Sequence, residues 1–521
     1  MESDWRIFSG KTCNNIPCET VTGRRPYVPC PVCQPWRLAN TERVNIMIRK
    51  TLAFITAFSG LMAMMTGCGM KNGNMTEVNT GTEAGASPEA GADAVWPSGL
   101  PAADSTDPPQ IQPLPYDGNY PQHEAYGTGV GAMPGRVVWS HDPDSVEWDG
   151  SGYWWEPGHF NEAAILEMVN GSIASLGGRE TAAEGWSALF SSNKKARGMG
   201  GGYAEGEKIA VKANINGSGV FDDDTSGETR LSYTNPVLLK ALLVSLVREG
   251  GVNPSDITVY DVSRLFPEYM IKMCTEGELS GIRFVGRDNG VADEDAPIQW
   301  SHSFSGRVNY LPDCVTEASY VINLANLKGH SYGITLCGKN HFGSFINGNM
   351  MRPPEGANLH QWLTKSEMGI YSPLVDLMAN AGLGGKTVLY MLDALICAPS
   401  EGASITAENA KWQQAPFNGD YASSIFVSQD PVAIDSVGAD FLNNEPAVTG
   451  ANRAAADITN ENYLHEAGLV SHAPSGTVYM DGNGNAVANL GVHEHWNNAA
   501  QKLYSRNLGK EEGIELVQFL K

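Results

Sequence analysis

Apolar residues recur with a structural period only from Arg136 onward. Arg136–Ser140 (RVVWS) reads as a strand, and Asn161–Leu176 (NEAAILEMVNGSIASL) has the spacing of an amphipathic helix. Lys208–Asn216 (KIAVKANIN) is the first strong buried strand. Asn235-Pro236 opens a helix through Val247, and Gly250-Gly251 closes it. Further strands are expected at Ile257–Val262, Arg283–Val285, Ala318–Leu324, Thr387–Leu395 and Ser424–Ser428, with a helix at Val432–Leu442. Strands alternating with helices of this length predict an α/β fold, a mainly parallel sheet with helices on both faces. Thr477–Asn485 (TVYMDGNGN) predicts a hairpin around a Gly/Asn turn in a C-terminal extension.

Upstream of Arg136 the pattern is different. Residues 68–135 are rich in Gly, Pro, Ala, Asn, Asp and Thr without apolar periodicity, as expected of a disordered tether. Before them, Arg49-Lys50 precedes the apolar run Thr51–Met65, and Thr66-Gly67-Cys68 ends it. A basic start, a short apolar core and a small residue before the cut define a secretory signal. Gly67-Cys68, with Met65 at the usually aliphatic position, resembles the lipobox of bacterial lipoproteins. The resemblance implies lipidation of Cys68, a membrane anchor, and residence in the bacterial cell envelope facing the periplasm or the surface. Residues 1–46 contain Cys13, Cys18, Cys30 and Cys33, and a CxxC pair suits zinc. A zinc knuckle ahead of a signal sequence would be discarded on export, so translation is expected to start at Met47. The expected organisation is therefore an upstream extension at 1–46, a signal peptide at 47–67, a tether at 68–135 and an α/β domain at 136–521.

Charge narrows the partners. The chain has 58 acidic against 35 basic residues, a net −23, and residues 1–67 hold eight of the basic ones but only four of the acidic. Nucleic acid and anionic lipid surfaces demand basic patches, so neither is expected as the main partner. Beyond Cys68 the cysteines are Cys274, Cys314, Cys337 and Cys397, too widely spaced for an iron–sulfur or zinc motif. Their apolar surroundings predict buried free thiols.

Ligands of such sheets gather where strands end, and polar clusters fall there. Lys212 and Asn214 take alternate positions of one strand and share a face. Asn326, Lys328 and His330 follow the strand near residue 321; Lys339-Asn340-His341-Phe342-Gly343 comes nine residues later. Asp393 ends a strand, and Asp430-Pro431-Val-Ala-Ile-Asp435 leads into a helix with Asp430 as N-cap and Pro431 at N1.

The run Leu327–Gly343 (LKGHSYGITLCGKNHFG) resembles the central signature of the DUF362 family, a Lys-x-His followed by a Thr and a Lys-Asn-x-x-Gly. The Val-Lys-Ala-Asn214 strand, the helix and Gly-Gly after it, His360, and Asp430–Asp435 match further landmarks in order, over roughly residues 205–445. The resemblance implies a fold neighbourhood and a site, not a reaction. Some members also carry ferredoxin-like cysteine clusters; none is expected in the mature chain here.

Lysine supplies charge and loses pKa on burial, while histidine shuttles protons or binds metal. Lys328, His330 and Lys339 are thus the expected catalytic groups, and Lys212, Asn214, Asn340, Asp393 and Asp435 the expected substrate-binding groups. Asp393, if buried, needs a partner such as Lys212 or Lys339. His341 is as readily a filler as a functional group. Separately, His493 and His495 would point the same way in a strand and could share a divalent metal, given a third ligand such as His330 or Asp435.

Two functions compete. One is an extracytoplasmic enzyme using Lys/His acid–base chemistry, metal-assisted or not, on a small anionic substrate. The other is a non-catalytic lipoprotein that binds a solute or a glycan, with Trp148, Tyr153, Trp154 and Trp155 as stacking surfaces.

Overall fold

Along its strands the chain alternates between two separate hydrophobic cores. Val137 and Trp139 join one and Val138 the other; Ala210 and Val211 divide the same way, as do Val321 and Ile322. That period of two marks a sheet buried on both faces. The computed structural model describes residues 122–521 apart from 219–226, 303–307, 348–358, 365, 447 and 449–452. Cys68, the signal segment and most of the expected tether lie outside the described residues.

The sheet has eight strands: β1 (Arg136–His141), β2 (Ile209–Lys212), β3 (Ile257–Tyr260), β4 (Arg283–Val285), β5 (Tyr320–Asn326), β6 (Thr387–Ala394), β7 (Ser424–Ser428) and β8 (Glu515–Leu520). Their order is β8-β1-β7-β6-β5-β2-β3-β4. β7 runs against both neighbours, and every other pairing is parallel. Helices α1 (Glu162–Leu176), α2 (Ala182–Ala196) and α3 (Pro236–Arg248) supply the core on one face. Helices α4 (Pro373–Ala379), α5 (Pro431–Asn443) and α6 (Arg453–Gly468) supply it on the other. The fold is the α/β arrangement expected, with small antiparallel sheets added, such as the hairpin of Lys328–His330 and Gly333–Thr335.

Helix starts follow the expected chemistry. Asn235 accepts from Val237 N (2.9 Å) ahead of Pro236, and Asp430 accepts from Val432 N (3.0 Å) and Ala433 N (2.8 Å) ahead of Pro431. The four cysteines beyond Cys68 are buried free thiols. Among the described residues, no helix is long and apolar enough to cross a membrane.

Three features depart from the sequence pattern. The folded body begins before Arg136: Tyr126–Gly127 pairs antiparallel with Val492–His493, and Val130 N donates to Asp430 Oδ2 at 3.0 Å. Residues 122–135 dock mainly through backbone hydrogen bonds, which leave no apolar period, so the expected tether is too long at this end. The C-terminal hairpin is reduced to one bridge, Met480 to Ala486, around a turn in which Asp481 accepts from Asn483 N and Asn485 N. Finally, α2, α4, α6 and β8 were not among the expected elements.

Candidate functional site

In register, Lys212 at the end of β2 lies beside Tyr260 at the end of β3, so Asp261 falls next to the Lys212 ammonium. Lys212 Nζ donates to Asp261 Oδ2 at 3.0 Å, to Asn340 Oδ1 at 3.3 Å and to the Ala213 carbonyl. Lys212 is fully buried; loss of water pushes its pKa down and the Asp261 charge pulls it back up. Asp261 also accepts from Ile215 N, Ser263 N and Ser263 Oγ. Gly343 packs against the same carboxylate, so close that a Cβ there would collide with it. The absence of a side chain at Gly343 thus makes room for Asp261.

From this pair a hydrogen-bonded chain crosses the strand ends. Asn340 Oδ1 accepts from Asn214 Nδ2 (3.1 Å), and Asn214 Oδ1 accepts from Lys328 Nζ (3.4 Å). Lys328 also donates to the Ser232 carbonyl at 3.0 Å. Asn340 Nδ2 donates to Asn323 Oδ1 and the Leu324 carbonyl, fixing its amide on β5. Lys328 is fully buried, and desolvation pulls its pKa down to about 8 although the Glu401 and Asp393 charges oppose the fall.

Lys328 and His330 share a face of their short strand, and a second cluster forms at His330. Its Nδ1 accepts from Tyr332 N at 2.9 Å and from the Lys339 ammonium at 3.1 Å. Accepting at Nδ1 puts the ring proton on Nε2. Glu401, which sequence reasoning missed, lies 3.5 Å from His330 Nδ1 and accepts from Ser331 N and Oγ. His360 stacks on His330, and the Lys339 ammonium lies 5.7 and 5.6 Å from the Tyr332 and Phe342 ring centres.

The carboxylates take other places. Asp393 is buried and accepts from Asn235 N (2.7 Å), Asn326 Nδ2 (3.2 Å) and Leu395 N (3.3 Å). Burial lifts its pKa to about 6 against those donors, and Lys328 is the lysine whose charge opposes the rise. The expected partners Lys212 and Lys339 are engaged by Asp261 and His330 instead. Asp435 accepts from Cys337 N (2.9 Å), Gly338 N (2.8 Å) and Tyr463 Oη (2.7 Å). It therefore holds the start of the short turn Cys337–Asn340 that presents Lys339 and Asn340, and its own pKa rises by burial to about 6. In this geometry both carboxylates are held by donors of the protein itself. His341 is fully buried between Asn323 Nδ2 and Ser344 Oγ, and burial takes its pKa down to about 3, which makes it a neutral structural residue.

His493 and His495 do not join this site. His330 and Asp435, the expected third ligands, are engaged elsewhere; the two histidines meet Glu461, His465 and His123. Of the aromatic platform, Trp148, Trp154 and Trp155 are buried, and Trp155 is sandwiched between Tyr153 and Tyr269.

Comparison with curated proteins gave no match. Residues 209–440, which contain the whole Lys212–Asp435 network, match the family model described as Domain of unknown function (DUF362), which places that segment in the family.

Proposed function

We propose that this protein is an exported, lipid-anchored enzyme of the bacterial cell envelope that uses lysine and histidine for proton transfer on a small anionic substrate. One observation carries the reading. Lys328 is an amine sealed from water with its pKa near 8, two residues from a histidine whose Nδ1 accepts from a second ammonium, Lys339. An amine poised near neutrality is a competent base, and an imidazole that gives up its Nε2 proton while taking one at Nδ1 from the Lys339 ammonium stays neutral and relays an acid. Lys339, ringed by Tyr332 and Phe342, supplies the positive charge for a carboxylate or phosphate group. The Asp261–Lys212–Asn340–Asn214 chain fixes the floor beneath Lys328.

The non-catalytic reading loses support because three of the four expected stacking residues have no open face. Thermal-shift screening of small carboxylates and phosphate esters, followed by product analysis for any compound that binds, separates the two. The enzyme reading expects conversion that falls by about 100-fold or more in Lys339→Ala and His330→Ala. A compound bound through Lys339 but recovered unchanged after prolonged incubation would replace the enzyme with a binding protein.

A further inference from the structure

Helix α6 buries an unusually polar face. Thr459, Asn460, Glu461, Asn462, His465 and Glu466 are all 3 % exposed or less. Three of them are tied down in the ordinary way: Thr459 to the Thr364 carbonyl, Asn462 to Ile370, Glu466 to Ser475 and Tyr479. Glu461 and His465, one helical turn apart, are different. Glu461 Oε1 and both His465 nitrogens have no hydrogen-bond partner, and neither have His493 Nε2 and His123 Nε2. Buried polar atoms left in this way are costly, so a group of them at one point calls for a ligand.

Their directions converge. Glu461 Oε2 lies 3.1 Å from His495 Nε2, 3.5 Å from His465 Nε2 and 3.7 Å from His493 Nε2. His123 closes the group, its ring centre 5.0 Å from that of His493 and 5.2 Å from that of His495. The possible donor atoms of His123, His493 and His495 lie within 4.8 Å of one another, and so do those of Glu461, His465 and His493. Two atoms that bind one ion at about 2.1 Å, about 90–110° apart, are separated by about 3.0–3.4 Å. The spacings around Glu461 are close to that.

The outer ends of the rings fix which nitrogen is bare. Ser436 Oγ donates to the Val432 carbonyl (2.7 Å), so it accepts from His493 Nδ1 (2.8 Å) and leaves a lone pair on Nε2. His495 Nδ1 is 2.7 Å from Asp440 Oδ1, and His123 Nδ1 is 2.6 Å from the Glu124 carbonyl. Both acceptors demand Nδ1–H; His123 keeps its Nε2 lone pair, while His495 Nε2 carries a proton donated to Glu461 Oε2 at 3.1 Å, the proton an incoming metal ion would displace. The Nε2 lone pairs of His493 and His123 thus lie beside the Glu461–His495 pair inside the protein. Histidine held at one nitrogen by a carboxylate or hydroxyl and bare at the other is the usual outer shell of a metal ligand.

We propose that Glu461, His465, His493, His495 and His123 form a binding site for one first-row divalent transition-metal ion. Imidazole with a single carboxylate and no thiolate suits zinc, iron, nickel or copper, and disfavours calcium and magnesium. All five residues lie outside residues 209–440, so the site is an addition to the family segment. It joins three stretches distant in sequence: the docked N-terminal segment, α6, and the strand Val492–His493.

The test is metal loading of the full chain. Protein stripped with EDTA is reloaded separately with Mn²⁺, Fe²⁺, Co²⁺, Ni²⁺, Cu²⁺ or Zn²⁺, desalted, and analysed by plasma emission. About one equivalent of at least one metal is expected, with a higher thermal midpoint than the stripped chain. The cobalt form should show ligand-field bands without thiolate charge transfer, which separates this site from Cys13, Cys18, Cys30 and Cys33. Glu461→Gln and His465→Ala/His493→Ala should each hold less than about a tenth of an equivalent while keeping the wild-type circular dichroism. Wild-type loading below about a tenth of an equivalent for all six metals overturns the proposal, whatever the variants do. So does a thiolate cobalt spectrum, or wild-type loading in the folded variants.

Discussion

Lys328→Met should make the folded chain respond to pH in a way few single substitutions do. In the wild type, folding moves this ammonium from water to a site with zero exposure, and its pKa falls from 10.5 to about 8. At 1.36 kcal/mol per unit, that is about 3 kcal/mol of destabilisation wherever the lysine is charged in both states. Between about pH 8 and pH 10.5 the unfolded chain still binds the proton that the folded chain has released. The unfolded state then holds more protons, so stability rises with pH across that window. The penalty is complete below about pH 8 and gone above about pH 10.5.

Methionine removes the penalty at every pH. It also removes two hydrogen bonds, to the Ser232 carbonyl and Asn214 Oδ1, each of which contributes about 1 kcal/mol. The variant should therefore be more stable than the wild type by about 1 kcal/mol near pH 7 and less stable by about 2 kcal/mol near pH 10.5. The change in that difference, about 3 kcal/mol, is the firmer quantity because packing effects cancel in it. Lys386 and Lys502, also lowered to about 8 by burial, cancel as well because both proteins contain them. Urea unfolding read in parallel by tryptophan fluorescence and far-UV circular dichroism provides the measurement, with coincident transitions as the check on two-state behaviour. A stability difference that stays within about 0.5 kcal/mol from pH 7 to pH 10.5 would refute the depressed amine, and with it the observation on which the proposed acid–base role rests.

Lys212→Met should cost about 3–5 kcal/mol by leaving Asp261 charged and buried, and Lys212→Met/Asp261→Leu should recover part of that loss in the same urea assay. A double variant as unstable as the single one would mean that the carboxylate is not what destabilises it. Gly343→Ala should cost about 1–3 kcal/mol, because the new methyl group presses on a carboxylate already held by Lys212, Ile215 and Ser263. An unchanged urea midpoint would show that this contact yields freely. Radiolabelled fatty acid should attach to the chain in a bacterial host and be lost in Cys68→Ser; equal labelling of both would end the lipid-anchor reading.

Strands β1–β7 and helices α1, α3 and α5 were legible because both faces of the sheet are apolar. Runs such as KIAVKANIN and the later strand at Thr387 stand out where burial is two-sided. Lys212, Asn214, Asn340 and Lys328 were legible as a set, and the structure joins them in one hydrogen-bonded chain. Asp261 and Glu401 were not, since each acts on a lysine or histidine through sheet register or hairpin geometry that spacing does not reveal. The most costly omission was α6. Its buried face consists largely of Thr, Asn, Glu and His, so a search for apolar period passes over it. Glu461 and His465 at i and i+4 were the available signal, and His493-x-His495 was its visible half.

That failure of the hydrophobic rule is informative in itself. A helix interior to a protein is expected to bury an apolar stripe, and departures of this size concentrate where function requires them. α6 carries two kinds of polar contact at once. Tyr463 donates to Asp435, which in turn holds the backbone N–H groups of Cys337 and Gly338 just before Lys339. Glu461 and His465, on the same helix, turn to the histidine cluster. The signature turn inside the DUF362 segment and the histidine cluster outside it therefore share α6, and Ser436 and Asp440 of α5 tie His493 and His495 to the same segment. A helix C-terminal to the family segment thus completes the wall against which its signature turn is held.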